Sequence, residues 1–337
     1  IRIAEIRTLS EGNAVSSRTW ATELRNVSDS FGIDLIDTAA GAYDILSNQV
    51  AKGTNAIAFL NESAAFAKVT VSSLADASNL LASAVNAYKD QSLTATRAAE
   101  VLFTTIDLGR VRVEEIADTF GNVLPLGSQL GISFEEINAA FATLTIQGIR
   151  ADTSMTLMNN IMLKLLRPTK EMQGLLQEWG VSTGQAAIAT FGFTGVMQKL
   201  IAEFESGGIE RIGDIAQEMR TIRGLLSLSG KNSFATLMEN TGKVLNESAA
   251  NFARAKQVMF EDPGLQFQRE VTRFKNVLTL DLGNAIFDTA LKVSQAVGGV
   301  KNALNVLTAG LRGPAVVLQT ITTKTAGFVK SLSTIPG

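Results

Sequence analysis

From Ala4 to Leu46 the apolar residues recur at steps of three and four, through Trp20, Leu24, Val27 and Phe31, with Gly32 ending one helix and Asp34 beginning the next. Gly53-Thr-Asn interrupts, and the same period predicts helices over 56–68, 72–88, 94–108 and 113–124. Ser72-Ser-Leu-Ala-Asp offers a cap, and Glu114 and Glu115 stand in a first turn, where a helix dipole favours acids. Pro125 punctuates the series.

The stretch from Gly131 to Pro168 organises the rest. Ser133-Phe-Glu-Glu136 has the spacing of a capping box, in which the hydroxyl and the carboxylate each satisfy the other residue's exposed amide. The helix it opens carries Ile137, Phe141 and Leu144 on one stripe, with Ala139, Ala140 and Ala142 small enough for a neighbour to approach. Gln147-Gly148-Ile149 breaks it. Asp152 is then placed to cap a second helix with Met155, Met158, Ile161, Met162, Leu165 and Leu166 as its apolar face, and Pro168 stops that helix. The unit is a helical hairpin.

A helix through Trp179 gives way to 180–198, within the uncharged run from Trp179 to Gln198. That run is 20 residues, the length of a membrane span. Gly180, Gly184, Gly192 and Gly195, with interspersed Ser, Thr and Gln, read instead as a loop and a short helix. Ser206-Gly-Gly-Ile209 reads as a loop, 213–228 as a helix, and 232–261 as another with Phe234, Leu237, Val244 and Leu245 as its stripe. Asp262-Pro-Gly opens a long arm over about 263–311. Its stripe includes Phe267, Val271, Phe274, Leu278, Leu282, Val293, Val297 and Leu304 and takes a mean step near 3.67, closer to an eleven-residue repeat than to heptads. A lone helix cannot cover such a stripe, so it lies on the body or pairs with copies of itself. The expected organisation is all-α: a multi-helix globular body of short helices and helical hairpins over 1–260, a long amphipathic helix over 261–312 that either lies on the body or forms an oligomeric bundle, and a flexible or continuing segment over 313–337.

Composition narrows the chemistry. The 337 residues are 46% hydrophobic and 18% charged, and the 6% of aromatics are nearly all Phe, a balance suited to close helix packing. A net charge of −2 gives no bulk field toward nucleic acid. Without cysteine or histidine there are no disulfides, no thiolate chemistry, no common zinc site and no near-neutral acid–base group. The first residue is Ile1, and the expectation is an excerpt of a longer chain.

Gly224-Leu-Leu-Ser-Leu-Ser-Gly-Lys-Asn232 has five residues between its glycines where a phosphate loop has four, and Asn where that loop needs a hydroxyl. Glu62-Ser63 and Gly195-Val-Met-Gln198 resemble pieces of lytic transglycosylases, but they lie far apart, and the acid would need an apolar cleft to raise its pKa. The pairs Glu114/Glu115 and Glu135/Glu136 are expected to be solvated first-turn acids. No catalytic, cofactor-binding or metal residue is assigned.

The order Gly-Ile-Ser, Glu-Glu, Ala-Ala-Phe-Ala-x-Leu, Gly148-Ile149, a capped second helix and Lys164-Leu-Leu-Arg-Pro-Thr169 resembles the core of the phage tail tape-measure family. Gly32-Ile-Asp-Leu and Leu74-Ala-Asp-Ala upstream, and Leu176-Gln-Glu-Trp-Gly-Val181 and Arg223-Gly-Leu-Leu226 downstream, extend the likeness to roughly residues 20 to 295. The family-like positions are Gly131, Ser133, Glu136, Ala140, Leu144, Gly148, Leu165, Pro168, Gly180 and Gly224. The resemblance implies a non-enzymatic structural ruler and scaffold in the tail-tube lumen that sets tail length during assembly and leaves ahead of DNA on ejection. It implies a location in the virion, at the tail lumen or tip, and in the host cytoplasm during assembly. The implied partners are the tail tube protein, distal tail and tail-tip hub proteins, tail assembly chaperones and copies of itself, a trimer favoured, without specific nucleic-acid binding or cofactor. The alternatives are a membrane-active module, with the host membrane as partner, and a peptidoglycan hydrolase. At about 1.5 Å per residue even a wholly helical chain of this length reaches only about 500 Å.

Overall fold

Helices start where short polar side chains precede apolar runs. The computed structural model describes residues 17–216, 224–228 and 231–282, with the backbone alone at 17–18, 118, 204–216, 231 and 281–282. In chain order the helices are α1 (Ser17–Phe31), α2 (Leu35–Ser47), α3 (Thr54–Val69), α4 (Leu74–Ala87), α5 (Ala95–Gly109), α6 (Val113–Phe120) and α7 (Leu124–Leu130). They continue as α8 (Phe134–Ile146), α9 (Ala151–Leu166), α10 (Lys170–Glu178), α11 (Gly184–Ala216), α12 (Lys231–Asn246), α13 (Ser248–Glu261) and α14 (Pro263–Asn276), after which 277–282 is π-helical. No strand occurs among the described residues. The protein is all-α.

Among the described residues, Ser73, Thr94, Ser133, Thr169, Thr183 and Asp262 each accept a hydrogen bond from the amide three residues on, and Asp34 accepts one from the amide of Ile36, so side-chain caps mark many of the helix starts. The chain divides into two units, one made of 44–256 and the other of the segments before and after it. The expected boundary after 260 falls within α13, and that after 312 lies outside the described residues.

In the larger unit α8 is the axis. Phe134, Ile137, Ala139, Ala140, Phe141, Ala142 and Leu144 are all buried, and so are Asn138, Thr143 and Thr145 on the remaining sides. The helix is therefore enclosed by α5, α7, α9 and α12 rather than covered along one stripe. Small residues make this possible: a Cβ at Gly109 of α5 would sit 2.6 Å from Thr145 Oγ1, and one at Gly127 of α7 would overlap Ile137 Cδ1. Phe141 meets Phe120 edge-on with centroids 5.3 Å apart, and Phe134 meets Tyr88 likewise at 5.3 Å. Burial pushes the Tyr88 hydroxyl's pKa well above its usual range, and that hydroxyl donates to the Ile132 carbonyl at 3.1 Å.

In the other unit Trp20, Leu24, Val27 and Phe31 form the buried face of α1, joined by Leu265. Phe31 stacks obliquely on Phe260 at 5.6 Å. The contact between α1 and α14 is partly polar: Asn276 Nδ2 donates to Ser28 Oγ and Asp29 Oδ1, each at 2.7 Å, and Lys275 pairs with Asp34 at 3.0 Å. Thr272 and Asn276 thus occupy the inner face of α14, while Phe267 and Leu278 are exposed.

Several expectations are corrected. Pro125 starts α7 rather than only ending what precedes it, because a first helical turn needs no amide from that residue. Asp152 is not the cap of α9; the helix begins one residue earlier, and the Asp152 carboxylate accepts the Thr153 amide at 2.6 Å, which with the neighbouring Arg150 lowers its pKa. Ser206-Gly-Gly-Ile209 lies inside α11, since a glycine weakens a helix by only about 1 kcal/mol and need not end it. The helix expected over 232–261 is two helices meeting at Glu247, where Ser248 Oγ donates to the Val244 carbonyl at 2.6 Å. Leu245 is consequently exposed and Asn240 takes a place in the core. The expected arm is not among these corrections: it is helical over all its described residues, α-helical to Asn276 and π-helical over 277–282, and residues from 283 on lie outside the described residues.

Candidate functional site

At the root of the hairpin, Ser133 Oγ accepts the Glu136 amide at 3.2 Å, while Glu136 Oε2 accepts from the Ser133 amide at 3.4 Å and hydroxyl at 3.0 Å. The other oxygen, Oε1, accepts the amide of Thr194 at 3.1 Å. Thr194 follows Gly192, whose φ of +68° interrupts the regular backbone inside α11. An interruption of that kind frees amides just as a helix start does, and a carboxylate is the group best suited to take them. A Cβ at Gly192 would lie 2.9 Å from Glu136 Oε1, so a side chain there would strain the backbone and crowd the carboxylate. Of the four acids expected to be solvated, Glu114 and Glu115 are exposed, whereas Glu135 and Glu136 are partly buried and partnered.

Glu135 faces α5, where Arg97 Nε lies 3.0 Å from its Oε1 and Arg97 Nη1 lies 3.3 Å from Glu100 Oε2. Arg97 Nη2 also donates to the carbonyls of Val244 and Leu245 at 3.4 and 3.3 Å, the last turn of α12. One guanidinium therefore joins three helices at the place where α12 ends. Deeper in, Thr105 Oγ1 donates to Asn138 Oδ1 at 3.1 Å and Asn240 Nδ2 to Thr143 Oγ1 at 3.0 Å. These fix the register of α5 and α12 on α8 where apolar contacts alone would permit sliding.

At the opposite end of α8, the turn at Gly148 (φ +83°) and the turn after α5 enclose a cleft of about 570 Å³. Val111, Ile146 and Ile149 line it, with Arg110, Glu115, Arg150 and Asp152 also on its wall. Arg150 pairs with Asp152 at 3.0 Å.

The family-like positions serve as turns, caps and core. Gly131 and Gly180 take φ of +79°, each just after a helix. Ser133 and Glu136 form the capping box, and Ala140, Leu144 and Leu165 are buried. Pro168 follows the end of α9, and Gly224 rests on Leu157 and Ile161. Of the arm residues, Phe267 is 52% and Leu278 36% exposed, and Val271 and Phe274 are half-buried. The Leu282 side chain, Val293, Val297 and Leu304 lie outside the described residues. Arg97, Arg110, Asn240 and Thr194 were missed in the sequence. Arg97 stands three residues before Glu100, which shows a local pair, but its partners 38 and about 147 residues away leave no local sign.

Glu62 has its pKa raised, by burial first and by Glu100 in addition, against the lowering effect of Lys256 at 3.8 Å. Its Oε1 is sealed from solvent, as is the neighbouring Ser63 hydroxyl. Among the described residues no group of acids is arranged to hold a metal, and no helix is long and apolar enough to cross a membrane.

A profile of the family described as "Phage-related minor tail protein" matches residues 21–217, more than half of the chain. A protein named "Tape measure protein" from Pneumococcus phage Dp-1 is 25% identical over 172 residues, which are 51% of this chain and 14% of that relative. The chain thus corresponds to a small part of that relative's length. No solved structure matches.

Proposed function

We propose, from the premise that this chain belongs to the phage-related minor tail protein family, that it is part of a tape-measure protein. In this reading the protein lies in the tail lumen, sets the tube length during assembly and leaves ahead of the DNA on ejection. It does so without catalysis. The observation that carries the reading is the family match, which runs from within α1 to the end of α11 and includes α8. The family-like residues support it, since they are turns, caps and core positions of a scaffold rather than reactive groups. Partners in this reading are the tail tube, tail-tip hub and assembly-chaperone proteins.

Copies of the chain would associate along α14. Phe267, Val271, Phe274 and Leu278 follow one another at alternating steps of four and three, and the helix face packed on α1 is a different one. A trimer on the tail axis fits this pattern.

Mass spectrometry of intact and ejected particles tests the reading. The protein should be present in intact tails and depleted from tails that have released their DNA. Equal amounts in both would overturn release, and absence from intact tails would overturn the tail assignment.

A further inference from the structure

The joint between α12 and α13 has no breaker in the local sequence. Neither glycine nor proline stands between Lys243 and Glu261. Leu237, Asn240, Val244, Ser248 and Phe252 are buried at steps of three, four, four and four, so one helical face runs through the joint without a change of phase. The Glu247 amide donates to the Lys243 carbonyl at 2.8 Å and the Asn251 amide to the Glu247 carbonyl at 2.9 Å, which confines the lapse in the helical ladder to the turn between them.

The cause is tertiary. In a continuous helix the Val244 carbonyl takes the amide of Ser248; here it takes Ser248 Oγ at 2.6 Å and Arg97 Nη2 at 3.4 Å, and the Leu245 carbonyl takes the same Nη2 at 3.3 Å. A side chain inserted into the ladder interrupts a helix, and a cation at its last carbonyls favours an ending there. Arg97 comes from α5 and is steadied by Glu135 at 3.0 Å and Glu100 at 3.3 Å.

Past the joint, α13 buries just Ser248 and Phe252 among the described residues. The Phe252 ring lies 5.7 Å from that of Phe103 and 6.4 Å from that of Phe66, with Lys256 Nζ 4.5 Å over it and 3.8 Å from Glu62. That seat belongs to α3 and α5. Any change at Glu247 shifts Phe252 relative to α12, and the seat does not move with it.

We propose that Glu247 is a hinge held open by Arg97: when the guanidinium leaves the Val244 and Leu245 carbonyls, the ladder closes, 231–261 becomes one helix, and Phe252 leaves its seat between Phe66 and Phe103. Arg97 is then a positioning residue for α13, and few contacts separate the two states. The hinge does not depend on the assignment of the chain to the tail.

Hydrogen exchange on the whole chain tests it. Arg97→Met should slow amide exchange over 248–250 at least about tenfold, whereas an arginine that merely cements the helices predicts faster exchange there. Ala58 and Ala253 are exposed on α3 and α13, and the chain has no cysteine, so spin labels on Ala58→Cys and Ala253→Cys report the separation of these helices alone. That distance should lengthen in Arg97→Met. Exchange over 248–250 that is unchanged or faster while α8 stays protected overturns the proposal, and so does an unchanged label distance. Should Arg97→Met lose the protection of α8, Arg97→Lys is read against the same outcomes, since it keeps a charge beside Glu135 but cannot also span to α12.

Discussion

Arg97 binds Glu135 at 3.0 Å while the same guanidinium reaches the last carbonyls of α12, so a contact between α5 and α8 and the ending of a third helix depend on one side chain. Both members of the pair are mostly covered, at 28% and 18% side-chain exposure. Such a pair lies between the exposed case, worth under about 1 kcal/mol, and the buried case, where removal of one partner costs about 3–5 kcal/mol. Arg97→Met is expected to cost about 2 kcal/mol in urea denaturation and Glu135→Gln about 1 kcal/mol, because the arginine also loses its carbonyl partners. Equal effects would mean that the carbonyl contacts contribute nothing.

Phe141 is fully buried at the centre of α8 and packs edge-on against Phe120. Phe141→Ala should cost about 3–5 kcal/mol of unfolding free energy. A loss under about 1 kcal/mol would remove α8 from the core.

The bend in α11 should depend on both Gly192 and Glu136. Gly192→Ala meets the left-handed penalty of about 1–2 kcal/mol and crowds the carboxylate as well. Glu136→Ala leaves the Thr194 amide unpartnered and undoes the capping box, and should cost about 2 kcal/mol. The double variant should lose less than the sum of the two, since both act on one contact. Strict additivity in equilibrium unfolding would show that the two sites are uncoupled.

Much of this core was legible in advance. The capping box at Ser133, the turn at Gly148 and the apolar face of α9 follow from spacing alone, because they are set by residues within four positions of each other. The enclosure of α8 was not. Its polar residues Asn138, Thr143 and Thr145 lie off the apolar stripe, and two of them are satisfied only by Thr105 and Asn240, brought in from distant helices. The same applies at Glu136, where the sequence shows the local cap and the fold supplies Thr194. Glycines misled in both directions, Gly207 and Gly208 by continuing a helix and Gly192 by bending one without ending it.

Glu62 gives a pH dependence of known sign. Its pKa in the folded chain lies above the ordinary value of 4.5, so between those two values the folded state holds more protons than the unfolded state. Stability from this residue is therefore full at low pH and falls as pH rises through the folded value. At neutral pH the buried Oε1, which has no hydrogen bond and only the Lys256 ammonium at 3.8 Å, is a cost. Glu62→Gln should raise the melting temperature at pH 7, with the gain shrinking toward pH 4. A variant less stable than wild type at pH 7 would show that the attraction to Lys256 outweighs burial.

The central claim is that this chain belongs to a ruler, and tail length measures that directly. In-frame insertion of 30 helix-forming residues into its gene, outside the segment 17–282, should lengthen tails by about 45 Å at the rise of an α-helix. Electron micrographs of the resulting phage should show a narrow length distribution displaced by that amount. Tails of unchanged length, with the enlarged protein present in them, would contradict the account.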